Sequence, residues 1–196
     1  MSTRLRIFMT GVGGQGTLTA TNLLAQAILD SGTDLTAGEI HGMAQRGGVV
    51  ESAILIGMAS PKIAHGEADI ILGFEPLETL RALPYLKPNG IVLSSTEYVA
   101  PLSVSTGKAE QTPLELIKDR VNACASKAYF VPCQRLGLEA GAIQSGNIAL
   151  LGALCATGLI PLKPEELAET IKSVMKPKIA DINLKALQLG VDAISK

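Results

Sequence analysis

Two stretches of this 196-residue chain carry residue types at spacings that could do chemistry: Gly11-Val12-Gly13-Gly14-Gln15-Gly16, and Gly38-Glu39-Ile40-His41-Gly42-Met43-Ala44-Gln45-Arg46-Gly47-Gly48. In the first, Gly11, Gly13 and Gly16 follow an apolar run and open a helical pattern. In that context a Gly-x-Gly-x-x-Gly loop brings backbone N–H groups against a phosphate at a helix N-terminus. Glu39 follows Gly16 by 23 residues, near the end of a second apolar run, where an acid would meet the ribose of a dinucleotide. Taken alone, the loop leaves three readings open: NAD or FAD binding, a different phosphate ligand or a protein partner, and a tight strand–helix turn with no ligand. Gln15 and Thr17 add polar groups at the loop tip, suited to ligand contact or helix capping. Gly14 is expected to reject a larger residue such as Val by crowding.

In the second stretch, His41 and Arg46 are the strongly functional side chains. A guanidinium at Arg46 can hold phosphate or carboxylate with two parallel hydrogen bonds. The alternatives are an Arg that steadies its own loop or one that makes an interface contact. Asn147 opens the apolar segment Gly146–Leu154, where it can cap a helix or hold a loop. The small residues of that segment suit a tightly packed core helix or a subunit interface. His65, within Ala64-His65-Gly66-Glu67-Ala68, reads as a solvated surface residue.

Other chemistries lack their residues. The chain has no Gly-x-Ser-x-Gly elbow and no Gly-Lys-Ser/Thr phosphate loop. Two histidines without spaced carboxylates predict no metal site. Cys124, Cys133 and Cys155 are widely spaced and form no Cys-x-x-Cys, so they read as buried free thiols in a reducing compartment. A net charge of −1 makes no electrostatic case for nucleic acid. No apolar stretch reaches the roughly 20 residues of a membrane span, and the first ten residues do not read as a secretory leader. A cytoplasmic location is expected. If the chain serves an enzyme, the hardest chemistry is done elsewhere.

The elements that must position these residues alternate. With 47% hydrophobic and only 3% aromatic residues, the core must be built from Leu, Ile, Val and Ala. Strands are expected at 5–9, 35–40, 49–56, 69–74, 91–94 and 129–131. Helices are expected at 16–31, 76–86, 113–125, 146–157, 164–175 and 179–195. Residues 99–112 are the expected flexible stretch. Strands two and three are separated by eight residues, too few for a parallel crossover, so if adjacent they should run antiparallel. The result is an α/β fold: three α/β/α layers around a Rossmann-like, mixed but mostly parallel sheet.

At this point the residues resemble a known family. The glycine loop, Glu39-Ile40-His41-Gly42-Met43-Ala44-Gln45-Arg46-Gly47-Gly48, Gly66-Glu67-Ala68-Asp69, Phe74-Glu75-Pro76-Leu77-Glu78, and Gly146-Asn147 with Leu151-Gly152-Ala153 are similar to the gamma-type subunit of 2-oxoacid:ferredoxin oxidoreductases. The Gly-Met-Ala-Gln-Arg-Gly-Gly stretch most resembles the small subunit of indolepyruvate:ferredoxin oxidoreductase. The likeness runs from about residue 5 to about 190, which implies one gamma-type domain over residues 1–196.

The resemblance implies a large partner subunit that holds thiamine diphosphate and iron–sulfur clusters. That partner would decarboxylate an aryl-pyruvate, pass electrons to ferredoxin and form an acyl-coenzyme A. This chain alone would bind no cofactor and turn nothing over. It would pack on the thiamine-binding body and help enclose coenzyme A, with self-association possible when isolated. Gly11, Gly13, Gly14, Gln15, Gly16 and Thr17 would form one partner- or cofactor-facing loop. Glu39, His41, Met43, Gln45, Arg46 and Gly47 would belong to the other, and Asn147 is a further candidate. No catalytic residue is assigned. The family does not use the glycine loop for NAD, which overrules the local fingerprint. Alternatives are a gamma subunit acting on pyruvate, 2-oxoisovalerate or 2-oxoglutarate, a free-standing NAD(P)- or FAD-binding protein, and a ligand-free scaffold.

Overall fold

A computed structural model describes residues 4–41, 48–60, 62–99, 102–108 and 110–194, with the backbone alone at 40, 41, 102 and 103. Six strands form one sheet in the order β2-β3-β1-β4-β5-β6. They are β1 (Leu5–Val12), β2 (Leu35–His41), β3 (Val49–Ile56), β4 (Ala68–Gly73), β5 (Leu86–Ser95) and β6 (Lys127–Val131). β3 runs antiparallel to β2, as their short connection requires, and antiparallel to β1 as well. β1, β4, β5 and β6 are mutually parallel, so the sheet is mixed and mostly parallel.

Alternation along the strands divides the core in two. Ile7, Met9, Ile70, Leu72 and Leu93 join the cluster under α1 (Thr17–Asp30), α5 (Cys133–Ala140), α6 (Gly146–Ala156), α7 (Pro164–Val174) and α8 (Pro177–Ile194). Their neighbours Phe8, Ile71 and Val92 face the other way, with α2 (Pro76–Ala82) and α4 (Leu114–Cys124). The single helical turn α3 (Leu102–Ser105) lies within residues 99–112, the stretch expected to be flexible. Together the helices and sheet make three layers, unequal in thickness.

Local chemistry explains where the elements begin and end. α2 starts at Pro76 behind Glu75, whose Oε2 accepts from Glu78 N at 2.9 Å. It stops at Ala82 rather than near Leu86, because Pro84 cannot donate within a helix and the chain tightens into a 3₁₀ turn at Leu83–Tyr85. The Pro88-Asn89-Gly90 turn expected before the fifth strand is a bulge inside β5: the register with β4 shifts there, and Asn89 has φ 63°. The Gly66–Asp69 motif is structural. Asp69 Oδ2 accepts from Arg6 N at 2.6 Å, and the same carboxylate pairs with Lys87, tying β1, β4 and β5 together at their amino ends.

Helix α5 is absent from the sequence reading. Gly137 at its centre and Pro132 before it break the helical pattern. The glycine serves packing: a Cβ there would lie 2.7 Å from Ile143 O and Gly146 N.

Candidate functional site

The glycine loop leaves the carboxyl end of β1 and is held from inside. Gln15 turns inward: its Oε1 accepts from Val12 N at 2.8 Å and its Nε2 donates to Phe74 O at 3.3 Å. Its amide is therefore used to shape the loop and does not reach out from the tip. Thr17 is also inward. Its side chain is buried, makes no capping bond, and its Oγ1 stands 2.6 Å from where a Cβ on Gly11 would be. Gly11 must be glycine for that closeness. Gly16 must be glycine twice over, having φ 78° and Asn147 Nδ2 2.7 Å from its would-be Cβ. Gly14 differs from expectation. Nothing lies within 4 Å of a Cβ there, so the objection to Gly14→Val is its φ of 96°, not crowding.

The facing wall comes from 131 residues further along the chain. Asn147 Nδ2 donates to Gly16 O at 3.0 Å, so Asn147 holds the loop and does not cap its own helix. A 3₁₀ turn at Ile143–Ser145 runs straight into α6. The amino end of that helical run therefore meets the amino end of α1. Neither has an acid in its first turn or a side-chain cap.

Two cavities open on either side of this junction and share Gly14, Gln15, Gln144 and Asn147. One, of about 350 Å³, adds Phe74, Tyr98, Cys133 and Gln134. The other, of about 390 Å³, adds Thr19, Met175, Ile179 and Ile182. Among the described lining residues none is charged. Burial pushes the Cys133 thiol up to about 12, with Ser95 hydrogen-bonded to it, so it is a neutral wall. Helix amino ends carry partial positive charge, and no carboxylate lines either cavity, although the charges of Glu97 and Glu75 reach the lining Cys133 and Tyr98 from outside it. The junction is suited to an anion, and its flanks to neutral amide and apolar groups.

The second loop starts and ends at the same edge of the sheet. His41 pairs with Val50 at the end of β2, Val12 pairs with Val49, and Gly13 N donates to Gly48 O at 2.8 Å. The two motifs are therefore brought together by β3. Met43, Gln45, Arg46 and Gly47 lie outside the described residues.

Glu39 does not sit where a ribose-binding acid should. β3 is inserted between β2 and β1, and Glu39 is level with Ser52 and, through it, Met9 in mid-strand. Two strand spacings, about 10 Å, separate it from β1. It lines a different cavity, with Phe8, Glu51 and Tyr85. His65 is exposed, its ring edge-on to Tyr85 at 4.7 Å. Of the cysteines, Cys133 and Cys155 are buried but Cys124 is exposed, so the expectation of three buried thiols holds for two. Tyr98, Gln134 and Gln144 reach the site unannounced, because no local spacing marks residues on α5 and its neighbouring turns.

Residues 6–193 match the family described as pyruvate ferredoxin/flavodoxin oxidoreductase. The chain belongs to that family. It is 41% identical over 190 residues to the indolepyruvate oxidoreductase subunit IorB of Pyrococcus horikoshii, covering 95% of this chain and 94% of that one. Among solved structures, the pyruvate oxidoreductase subunit PORC of Thermotoga maritima aligns with a TM-score of 0.72 at 21% identity, over 97% of this chain and 96% of that one. A 2-oxoglutarate:ferredoxin oxidoreductase from Magnetococcus marinus, with 2-oxoglutarate, coenzyme A and succinyl-CoA bound, aligns with a TM-score of 0.73 at 18% identity, over all of this chain and 32% of that one. Within the family, then, this chain is a small, gamma-type subunit of a multi-subunit 2-oxoacid:ferredoxin oxidoreductase. Among the described residues no helix is long and apolar enough to cross a membrane.

Proposed function

We propose that this chain, as one gamma-type domain, serves an indolepyruvate or other aryl-pyruvate:ferredoxin oxidoreductase of the cytoplasm. In this reading its large partner carries the thiamine diphosphate and iron–sulfur chemistry and delivers electrons to ferredoxin. The part assigned to this chain is to enclose coenzyme A. The phosphates lie at the junction of the glycine loop and the 143–147 turn, and the thiol arm runs along the uncharged cleft toward the partner. Arg46, two residues before the Gly48 anchor, is assigned to a phosphate. The remaining second-loop residues, His41, Met43, Gln45 and Gly47, are assigned to the partner-facing side.

One observation carries the coenzyme A assignment: two helix amino ends without side-chain caps or first-turn acids meet at Gly16 and Asn147, in a cleft whose described lining bears no charge. The coenzyme A in the Magnetococcus relative supports the choice of anion. Indolepyruvate is favoured by the IorB likeness.

The test is an anaerobic affinity purification of this chain from its own cells, followed by kinetics of the recovered complex. A stoichiometric larger protein with thiamine diphosphate and iron–sulfur absorbance, oxidising indolepyruvate in the presence of coenzyme A, is expected. In that complex Arg46→Ala should raise the coenzyme A KM by roughly tenfold or more, the loss of one charge-assisted hydrogen bond. A solitary chain that binds a dinucleotide would overturn the proposal. Unchanged coenzyme A kinetics in an intact Arg46→Ala complex would remove Arg46 from it.

A further inference from the structure

We propose that Glu97, which does not line the cleft, is a positioning residue for it and acts through helix α5. The inference rests on the reading of the cleft as the coenzyme A site.

Helix α5 has only eight residues, too few to be stable alone, and its own N-cap, Pro132, has no side-chain group to offer. The first-turn amides are taken instead by a carboxylate 37 residues earlier in the chain. Gln134 N donates to Glu97 Oε2, and Arg135 N donates to Glu97 Oε1 at 3.1 Å. A carboxylate at this end also meets the helix dipole favourably. The segment that carries Glu97 is itself tied down on both sides. Thr96 N donates to Val131 O at 3.0 Å, Gln134 Nε2 donates to Tyr98 O at 3.2 Å, and Tyr98 OH donates to Thr112 O at 2.6 Å.

From α5 to the cleft the contact is backbone on backbone. A Cβ on Gly146 would lie 2.4 Å from Cys133 O, and one on Gly137 would lie 2.7 Å from both Ile143 O and Gly146 N. With no side chain between them to absorb movement, a shift of the amino end of α5 displaces the 143–146 turn directly. Asn147 follows that turn and holds Gly16 O. Glu97 therefore sets the position of α5, α5 sets the turn, and the turn sets the glycine loop. The carboxylate acts on coenzyme A affinity without touching coenzyme A.

The experiment uses the assembled complex with Glu97→Ala, Glu97→Gln, Asn147→Ala and the Glu97→Ala/Asn147→Ala double variant. It reads coenzyme A binding by calorimetry, kcat, both KM values and the melting temperature. Glu97→Ala is expected to weaken coenzyme A binding and raise its KM by about five- to tenfold, the scale of a lost charged cap. The kcat at saturating coenzyme A and the 2-oxoacid KM should stay within about twofold. Glu97→Gln, which keeps a neutral acceptor, should fall between wild type and Glu97→Ala. The double variant should bind no worse than Asn147→Ala alone, because both changes break one chain of contacts.

If Asn147→Ala weakens coenzyme A binding and Glu97→Ala leaves it unchanged, the positioning role is overturned and the cleft reading survives. If neither variant weakens it, the cleft reading falls and this inference falls with it. A Glu97→Ala complex that loses kcat, 2-oxoacid affinity and melting temperature together shows general damage and also overturns the proposal. Should Glu97→Ala fail to assemble, Glu97→Gln decides on the same readouts.

Discussion

Glu75 is 1% exposed, and burial is the main cause that pushes its carboxyl above the ordinary value of 4.5. Backbone amides at Glu78, Leu77 and Val99 pull the other way, and the charge of Glu78 adds to the rise. Glu78 is raised too, chiefly by burial, against the opposing pull of Arg81. A carboxyl whose folded pKa lies above its unfolded one binds more protons in the folded state, so stability falls as pH rises through that window. Glu75→Gln keeps an acceptor for Glu78 N and removes the charge. Urea unfolding of the isolated chain from pH 4.5 upward should show the wild type losing stability relative to this variant. Parallel curves would show that the Glu75 charge is tolerated without cost. Nothing in the spacing of Phe74-Glu75-Pro76-Leu77-Glu78 announced this. A capping acid before a Pro is readable in a sequence, but its desolvation is set by what the fold lays over it.

At the scale of elements, the close pair is α6 and α8. A Cβ on Gly190 would stand 1.8 Å from Ala149 O, and one on Gly152 would stand 2.3 Å from Leu187 O. The two helix backbones touch at both points, and the residues of α6 from Ile148 to Cys155 are buried. The small residues of that helix therefore serve the core of this chain and not a subunit interface. Gly190→Ala must push the helices apart and should cost on the order of 3 kcal/mol in urea unfolding. A cost within about 0.5 kcal/mol, the range of a surface change, would contradict the backbone contact. The apolar run of α6 was legible because its composition alone demands burial. α5 was not, because its one glycine looks like a helix breaker until the turn it packs against is in place.

At the scale of the molecule, the fold decides which side chains solvent can reach. Burial pushes both Cys133 and Cys155 up to about 12, while Cys124 is exposed at the end of α4. A thiol-alkylating reagent at neutral pH should add once to the native isolated chain and three times after unfolding, as read by mass spectrometry. Two or more native adducts would contradict the packing around α5 and α6. The strand–helix alternation, the mixed sheet and the glycine loop were all legible from local pattern and from one connection too short to cross over. They depend on hydrophobic period and backbone freedom, which neighbouring residues express by themselves. The resemblance carried the family, and with it the dismissal of NAD. The tertiary structure alone inserted β3 between β1 and Glu39, seated Asn147 on Gly16 from 131 residues away, and placed Glu97 on the amino end of α5. Each of these depends on strand order or on contact between segments far apart in the chain, and no local spacing encodes such a distance.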